Sequence, residues 1–299
     1  MAKILFLASI MLLSFYLTEQ TIISDVGTIM LEVGENVDKN ARNPRYVLDT
    51  KVHKEFDARK RWPKCKTIGE VLNDGNNLYS WAYANAAIFS DRKCIATNGV
   101  FNQFLSTEEL ISCSGIKAIE NGISKGGVDQ LRVWEYFKSH GLVSGGKYNT
   151  DDGCQPSKIL PIGNLPTTLY KPECKNRCYG NKTIDYNHDH SKVSHKYKIS
   201  YEDIQKEVQN YGPVSVQFFL YYDFYLYRNG VYSKTENSKF VRWQYAKLIG
   251  WGVENGVDYW LLVNSWGKEW GQNGLFKIKR GTNECSIETA IYAGEPERK

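Results

Sequence analysis

Apolar and polar positions divide the chain into three stretches. Ile4–Leu17 is an apolar run of fourteen residues interrupted only by serine. Residues 20–52 are polar apart from two patches, Ile22-Ile23 and Ile29–Val33. Beyond them the pattern is that of a folded domain. The small residues Ala82, Ala84, Ala86 and Ala87 follow Ser80 and predict a helix starting about there, with Ser80 as its N-cap. Leu105–Leu110 predicts a second helix start, with Ser106 as N-cap and Glu109 completing a capping box. Pro213–Phe218 alternates apolar and polar, the signature of a strand. Leu248–Val253, Tyr259–Val263 and Leu275–Ile278 are short apolar or β-branched runs bounded by Gly and Asn, the pattern of a small antiparallel barrel. Helices in the first half and strands in the second predict an α+β fold.

Composition narrows the setting. A length of 299 residues allows one or two domains. Lys3 ahead of the first apolar run, and the shortness of that run, predict a signal peptide over 1–19 and not a membrane span. No later stretch is apolar enough to cross a bilayer. Seven cysteines in a secreted chain predict three disulfides and one free thiol. Asn181-Lys182-Thr183 is a glycosylation acceptor in such a compartment. The net charge of +5 is mild, and its densest run, Arg59-Lys60-Arg61, is read as solvated surface, so no nucleic-acid partner is expected. His188, His190 and His195 lie in a polar segment without a completing cysteine or acidic cluster. They are read as exposed loop histidines, with no metal and no cofactor expected.

Several segments carry a resemblance. Asn77-Leu78-Tyr79-Ser80-Trp81 occupies the frame of C-G-S/A-C-W, in which the nucleophilic cysteine opens a central helix. Phe56-Asp57-Ala58-Arg59, Ser90–Cys94, Lys125-Gly126-Gly127, Gly141–Gly146, and Asn264-Ser265-Trp266-Gly267 followed by Trp270-Gly271 and Asn273-Gly274 continue the same pattern. Over about residues 54–294 the chain resembles the papain-like cysteine peptidases, and cathepsin B among them. The resemblance implies two lobes, one helical and one an antiparallel barrel, with a cleft between them. It implies a peptidase domain over 53–299 and a short propeptide-like segment over 20–52. Carried over residue by residue, it implies the bridges Cys65–Cys94, Cys113–Cys174 and Cys154–Cys178, with Cys285 free. Asn77 and Ser124, and Ser114 and Ala118, stand where further pairs would be, and the occluding-loop histidines have no counterpart in Pro156–Pro172.

The resemblance also places the chemistry. The nucleophile position holds Ser80, the histidine position Gln244, the oxyanion glutamine position Asp74, and the orienting asparagine is retained as Asn264. A hydroxyl nucleophile needs a base, and an amide does not titrate near neutrality. A carboxylate at Asp74 opposes the charge that an oxyanion hole stabilises. Gly126, Gly127 and Trp266 would line the substrate groove, and Ala290 stands where an acidic residue would select basic side chains. The expected function is an inactive cathepsin B-like homologue, secreted or lysosomal and monomeric, that holds an extended peptide or a protein in its cleft. The alternatives are a peptidase with residual activity through Ser80, with Asp74 as its base, and a structural or storage protein.

Overall fold

The computed structural model describes residues 51–75, 78–161 and 173–297. The expected signal peptide, nearly all of the propeptide-like segment, and Asn77 lie outside the described residues. The first elements are the short strand β1 (Phe56–Asp57) and the one-turn helix α1 (Ala58–Arg61), which carries the exposed basic run. The helical part is α2 (Ser80–Ala96), α3 (Thr107–Cys113) and α4 (Gln130–Ser139). The second part holds α5 (Ile204–Tyr211) and strands β2 (Val193–Ile199), β3 (Val214–Tyr221), β4 (Val231–Tyr232), β5 (Phe240–Glu254), β6 (Val257–Val263), β7 (Leu275–Lys279) and β8 (Ile291–Pro296). This is the expected two-lobed α+β arrangement.

The strands form one sheet in the order β2-β8-β3-β5-β6-β7-β4, with β1 added against β5. All pairings are antiparallel except β4 with β7. Two of the strands, β2 and β8, go beyond the runs legible in the sequence. Strand β5 extends back to Phe240, past its apolar run, and its alternation serves two cores. Ala246 and Leu248 join Val214, Val216 and Phe218 in the core of the sheet lobe. Trp243 and Tyr245 point the other way, into the helical core with Trp81, Ile88, Phe89 and Trp134.

Helix α2 is buried along nearly its whole length, which its alanines permit by keeping neighbours close. Its Arg92 ties it to the sheet lobe. The guanidinium donates to the Pro213 carbonyl at 2.7 Å, the Tyr197 hydroxyl at 2.9 Å and Glu207 at 2.8 Å. The three expected disulfides are formed: Cys65–Cys94, Cys113–Cys174 and Cys154–Cys178. Cys285 is free, and burial together with the Glu284 carboxylate pushes its thiol up, so it offers no ready thiolate.

Two local expectations are corrected. Ser80 is the first residue of α2 and not its N-cap; Tyr79 holds that place without a side-chain bond. Ser106 does cap α3, accepting from Glu109 N at 3.0 Å, but the Glu109 carboxylate does not return to Ser106. It accepts from Val143 N at 2.7 Å, Tyr186 Oη at 2.8 Å and His190 Nε2 at 3.0 Å. A buried carboxylate takes whichever donors complete its shell, and these come from distant loops. His190 is therefore partly buried and bonded, and His195 lies on β2, so of the three histidines only His188 is an exposed loop residue.

Replacing Arg92 by Met leaves the Glu207 carboxylate, still bonded to the Tyr197 hydroxyl at 2.7 Å, without its buried cation, and a cost of about 3–5 kcal/mol is expected from the denaturant midpoint. The hydrogen bond to Glu109 raises the His190 pKa above its ordinary value. Its stabilising contribution is then complete below about pH 6.5 and is lost as pH rises through the higher folded value. The stability difference between the natural chain and His190→Gln should shrink as pH is raised, read from unfolding midpoints across that window.

Candidate active site

The residues at the four chemical positions meet where β5 crosses α2. The ladder between β5 and β6 begins only at Lys247, so the preceding residues of β5 present an open edge. Buried edge N–H groups must find acceptors. Tyr245 N donates to Ser80 Oγ at 3.4 Å, and Trp243 N donates to the Lys125 carbonyl at 2.7 Å. The Ser80 hydroxyl, only 1% exposed, thus serves as an acceptor for the strand edge.

Gln244 sits on the opposite face of β5, paired in register with Phe218 and fully buried. Its Nε2 donates to Asn264 Oδ1 at 3.0 Å, and the same oxygen accepts from Ser265 N at 2.9 Å. Gln244 Oε1 and Asn264 Nδ2 have no hydrogen-bond partner among the described residues. Asp74 is fully buried and clasped to the next residue along: its N donates to the Ser265 carbonyl and its Oδ2 accepts from Ser265 Oγ, both at 2.8 Å. The four positions are therefore linked through chain neighbours, Ser80 by way of Tyr245 and Asp74 by way of Ser265. The partner of the Ser80 hydroxyl is a backbone N–H, that of Tyr245. The carboxylate of Asp74 bonds to Ser265, in a buried junction.

The expected groove residues are found beside it, with their hydrogen bonds used internally. Gly126 N donates to the Ile119 carbonyl at 2.7 Å, and Ile119 N donates to the Gly127 carbonyl at 3.0 Å. Gly126 has φ +83, and a Cβ placed on it would lie 2.7 Å from the Trp243 carbonyl oxygen. Here glycine is required twice, for its backbone angle and for the close approach. A peptide strand laid between Gly126 and Trp243 would need two sheet spacings, about 9–10 Å. The Trp243 indole packs against Phe219 with ring centroids 4.2 Å apart and planes tilted by 38°, and it shares a cluster with Ala290. On the other flank Trp266 is covered by Tyr225, with ring centroids 5.1 Å apart and planes 8° from parallel. The recess beside Tyr245, Asn264 and Ser265 holds about 20 Å3.

Trp243, Tyr225 and Ser265 are participants that the motif reading passed over. Trp243 stands one residue before Gln244, and counting back from Gly250-Trp251-Gly252 would have exposed a large aromatic at the groove wall. The pairing of Asp74 with Ser265 joins residues far apart in sequence and carries no local signal.

Comparison with known proteins accords with this geometry. The model of the papain family cysteine protease matches residues 52–295. The chain is 40% identical to cathepsin B-like cysteine proteinase 3 of Caenorhabditis elegans over 278 residues, covering 91% of this chain and 70% of that protein. It is 39% identical to cathepsin B-like cysteine proteinase 5 of the same organism, covering 81% and 74%. Among solved structures it is similar to procathepsin B S9 from Trypanosoma congolense, with TM-score 0.69, 31% identity, and coverage of 83% of this chain and 79% of that one. A digestive procathepsin L2 proteinase from Tenebrio molitor larval midgut shares the fold, with TM-score 0.60 at 24% identity, over 82% of this chain and 69% of that one.

Restoring the thiol alone should not restore chemistry. Ser80→Cys is expected to hydrolyse peptides no faster than the natural chain, because a positioned base is worth about 10²–10⁴ in rate and Gln244 is not one. Turnover by this single variant above a Ser80→Ala blank would overturn that account.

Proposed function

We propose that this chain, which belongs to the papain family of cysteine peptidases, is a cathepsin B-like homologue that binds without cleaving. The observation that carries the reading is the buried Gln244–Asn264 amide pair at the place where the resemblance puts a histidine. An imidazole would cycle a proton there; an amide holds the same hydrogen bond and cannot. The Ser80 hydroxyl, bonded to the β5 edge, supports the same conclusion. The residual-activity alternative asks Asp74 to serve as the base, and the clasp between Asp74 and Ser265 counts against it.

A papain-like fold with its cleft suits peptide binding. In this chain an occupant of the stretch beside Gly126 has to displace Trp243 from Lys125. The proposed binding role therefore favours segments that engage the outer parts of the cleft, and the affinity of a plain extended peptide is reduced by the cost of opening. The three disulfides fit an oxidising compartment, so secretion or delivery to a lysosome-like compartment forms part of the proposal. Asn181 fits with it: the residue is exposed, and its Oδ1 accepts from Thr183 N and Oγ1 in an accessible turn.

The test is hydrolysis of a mixed peptide library between pH 4 and 8. The natural chain should be silent. Ser80→Cys combined with Gln244→His should gain activity, and adding Trp243→Gly should lower its KM by about ten-fold as the groove opens. Cleavage by the natural chain that Ser80→Ala abolishes would refute the proposal.

A further inference from the structure

A second recess opens on the helical lobe, away from the residues just described. It has a volume of about 610 Å3, and Glu109, Tyr136, His140, Tyr186 and Lys192 are among the residues that line it. Neither Ser80, Gln244, Asn264 nor Asp74 contributes to it. Pockets for small organic ligands run to about 300–1,000 Å3, whereas a single water takes up about 30 Å3. The size fits a small organic molecule.

The chemistry of the lining selects further. Glu109, 1% exposed, forms the floor, and its carboxylate is already spent on Val143 N, Tyr186 Oη and His190 Nε2. Those bonds hold the Tyr186 and His190 rings edge to face at 4.8 Å. On the opposite wall Tyr136 and His140 stack at 4.8 Å with planes 9° apart. The Cys113–Cys174 disulfide supplies part of the remaining wall. The walls are thus fixed aromatic rings, and the one acid is satisfied by protein.

The capacity that remains includes a cationic donor and the two-sided side-chain amides of asparagine. Lys192 Nζ gives one N–H to the Ser139 carbonyl at 2.7 Å, and an ammonium has three. His140 meets Ser139 Oγ through Nδ1 at 2.8 Å, which leaves Nε2. The side-chain amides of Asn176 and Asn187 complete the rim. A donor-rich, basic rim over a satisfied floor complements a ligand rich in acceptors and negatively charged. Fixed aromatic walls complement the apolar face of a ring. We propose that this cavity binds an acidic sugar-sized ligand: a hydroxylated ring bearing one carboxylate, phosphate or sulfate group. The proposal is independent of the reading of Ser80, and stands whether or not that site cleaves.

The experiment is calorimetric titration of the full folded chain at about pH 5.5, below the ordinary histidine range. The probes are glucuronate, glucose 6-phosphate, neutral glucose and inorganic phosphate. At least one of the two acidic sugars should bind saturably with Kd in the millimolar range or below, about ten-fold tighter than glucose and than phosphate. Which of the two binds identifies the acidic group preferred. Lys192→Ala and Asn187→Ala should each weaken it at least about five-fold with unchanged unfolding midpoints; either variant suffices if the other fails to fold. The proposal is overturned if neither acidic sugar saturates by about 20 mM. Glucose binding equally well, phosphate binding as tightly as the phosphosugar, or folded variants that keep full affinity would also overturn it.

Discussion

The centre of this molecule depends on how the exposed edge of one strand is satisfied. Strand β5 pairs with β3 along one side, but β6 joins it on the other only from Lys247 onward. Ahead of that point buried N–H groups face the helical lobe with no ladder to receive them, and leaving them unpaired would cost about 1–3 kcal/mol each. The chain meets the requirement from within. Lys125 offers its carbonyl to Trp243, and Ser80 offers its hydroxyl to Tyr245. An open strand edge is also what an incoming extended peptide would use. The same two bonds therefore complete the fold and occupy the place where a peptide would add.

The side chains on β5 follow from this arrangement. Its odd residues face the helical core, so Trp243 closes the gap beside Gly126, and Tyr245 reaches Val128 N with its hydroxyl at 2.8 Å. Its even residues face the sheet core, so Gln244 arrives at Asn264. A glutamine amide keeps the hydrogen bond to Asn264 without titrating, and it lets the junction stay packed at any pH. The junction is thus closed by hydrogen bonds on both faces of β5, Gln244 to Asn264 on one and Tyr245 to Ser80 on the other.

Much of this was legible in the sequence, and the residues that were not share a cause. The disulfide pairs implied by the resemblance are formed, and α2 starts at Ser80, where the run of alanines puts it. Strand β2 was invisible because Val193–Ile199 alternates only weakly, with five of its seven positions half-exposed between buried ends. The first half of β5 was hidden because Arg242, Gln244 and Lys247 are buried polar residues, whose partners lie elsewhere in the chain. The capping box at Ser106 failed for a similar reason. Glu109 had the right spacing, but tertiary donors from Val143, Tyr186 and His190 outcompeted the local N–H. Short-range rules name the group; the long-range fold decides its partner.

That same competition distinguishes the two recesses. At the junction of the lobes, the backbone N–H groups of Gly126 and Trp243 and the Asp74 carboxylate are bonded within the chain, and the recess beside Tyr245, Asn264 and Ser265 holds about 20 Å3. On the outer face, Glu109 bonds Tyr186 and His190 in place of its helix cap, and these three line a recess of about 610 Å3 together with Lys192 and the two asparagines. Recognition requires donors or acceptors that the protein has not already spent, because only those gain on exchanging water for ligand. By that measure the outer recess keeps the unspent N–H capacity of Lys192, whereas the backbone N–H groups of Gly126 and Trp243 are already bonded within the chain. On the proposed reading, a chain of this family keeps the architecture of a peptidase and offers, besides its cleft, a second place to bind on the outer face.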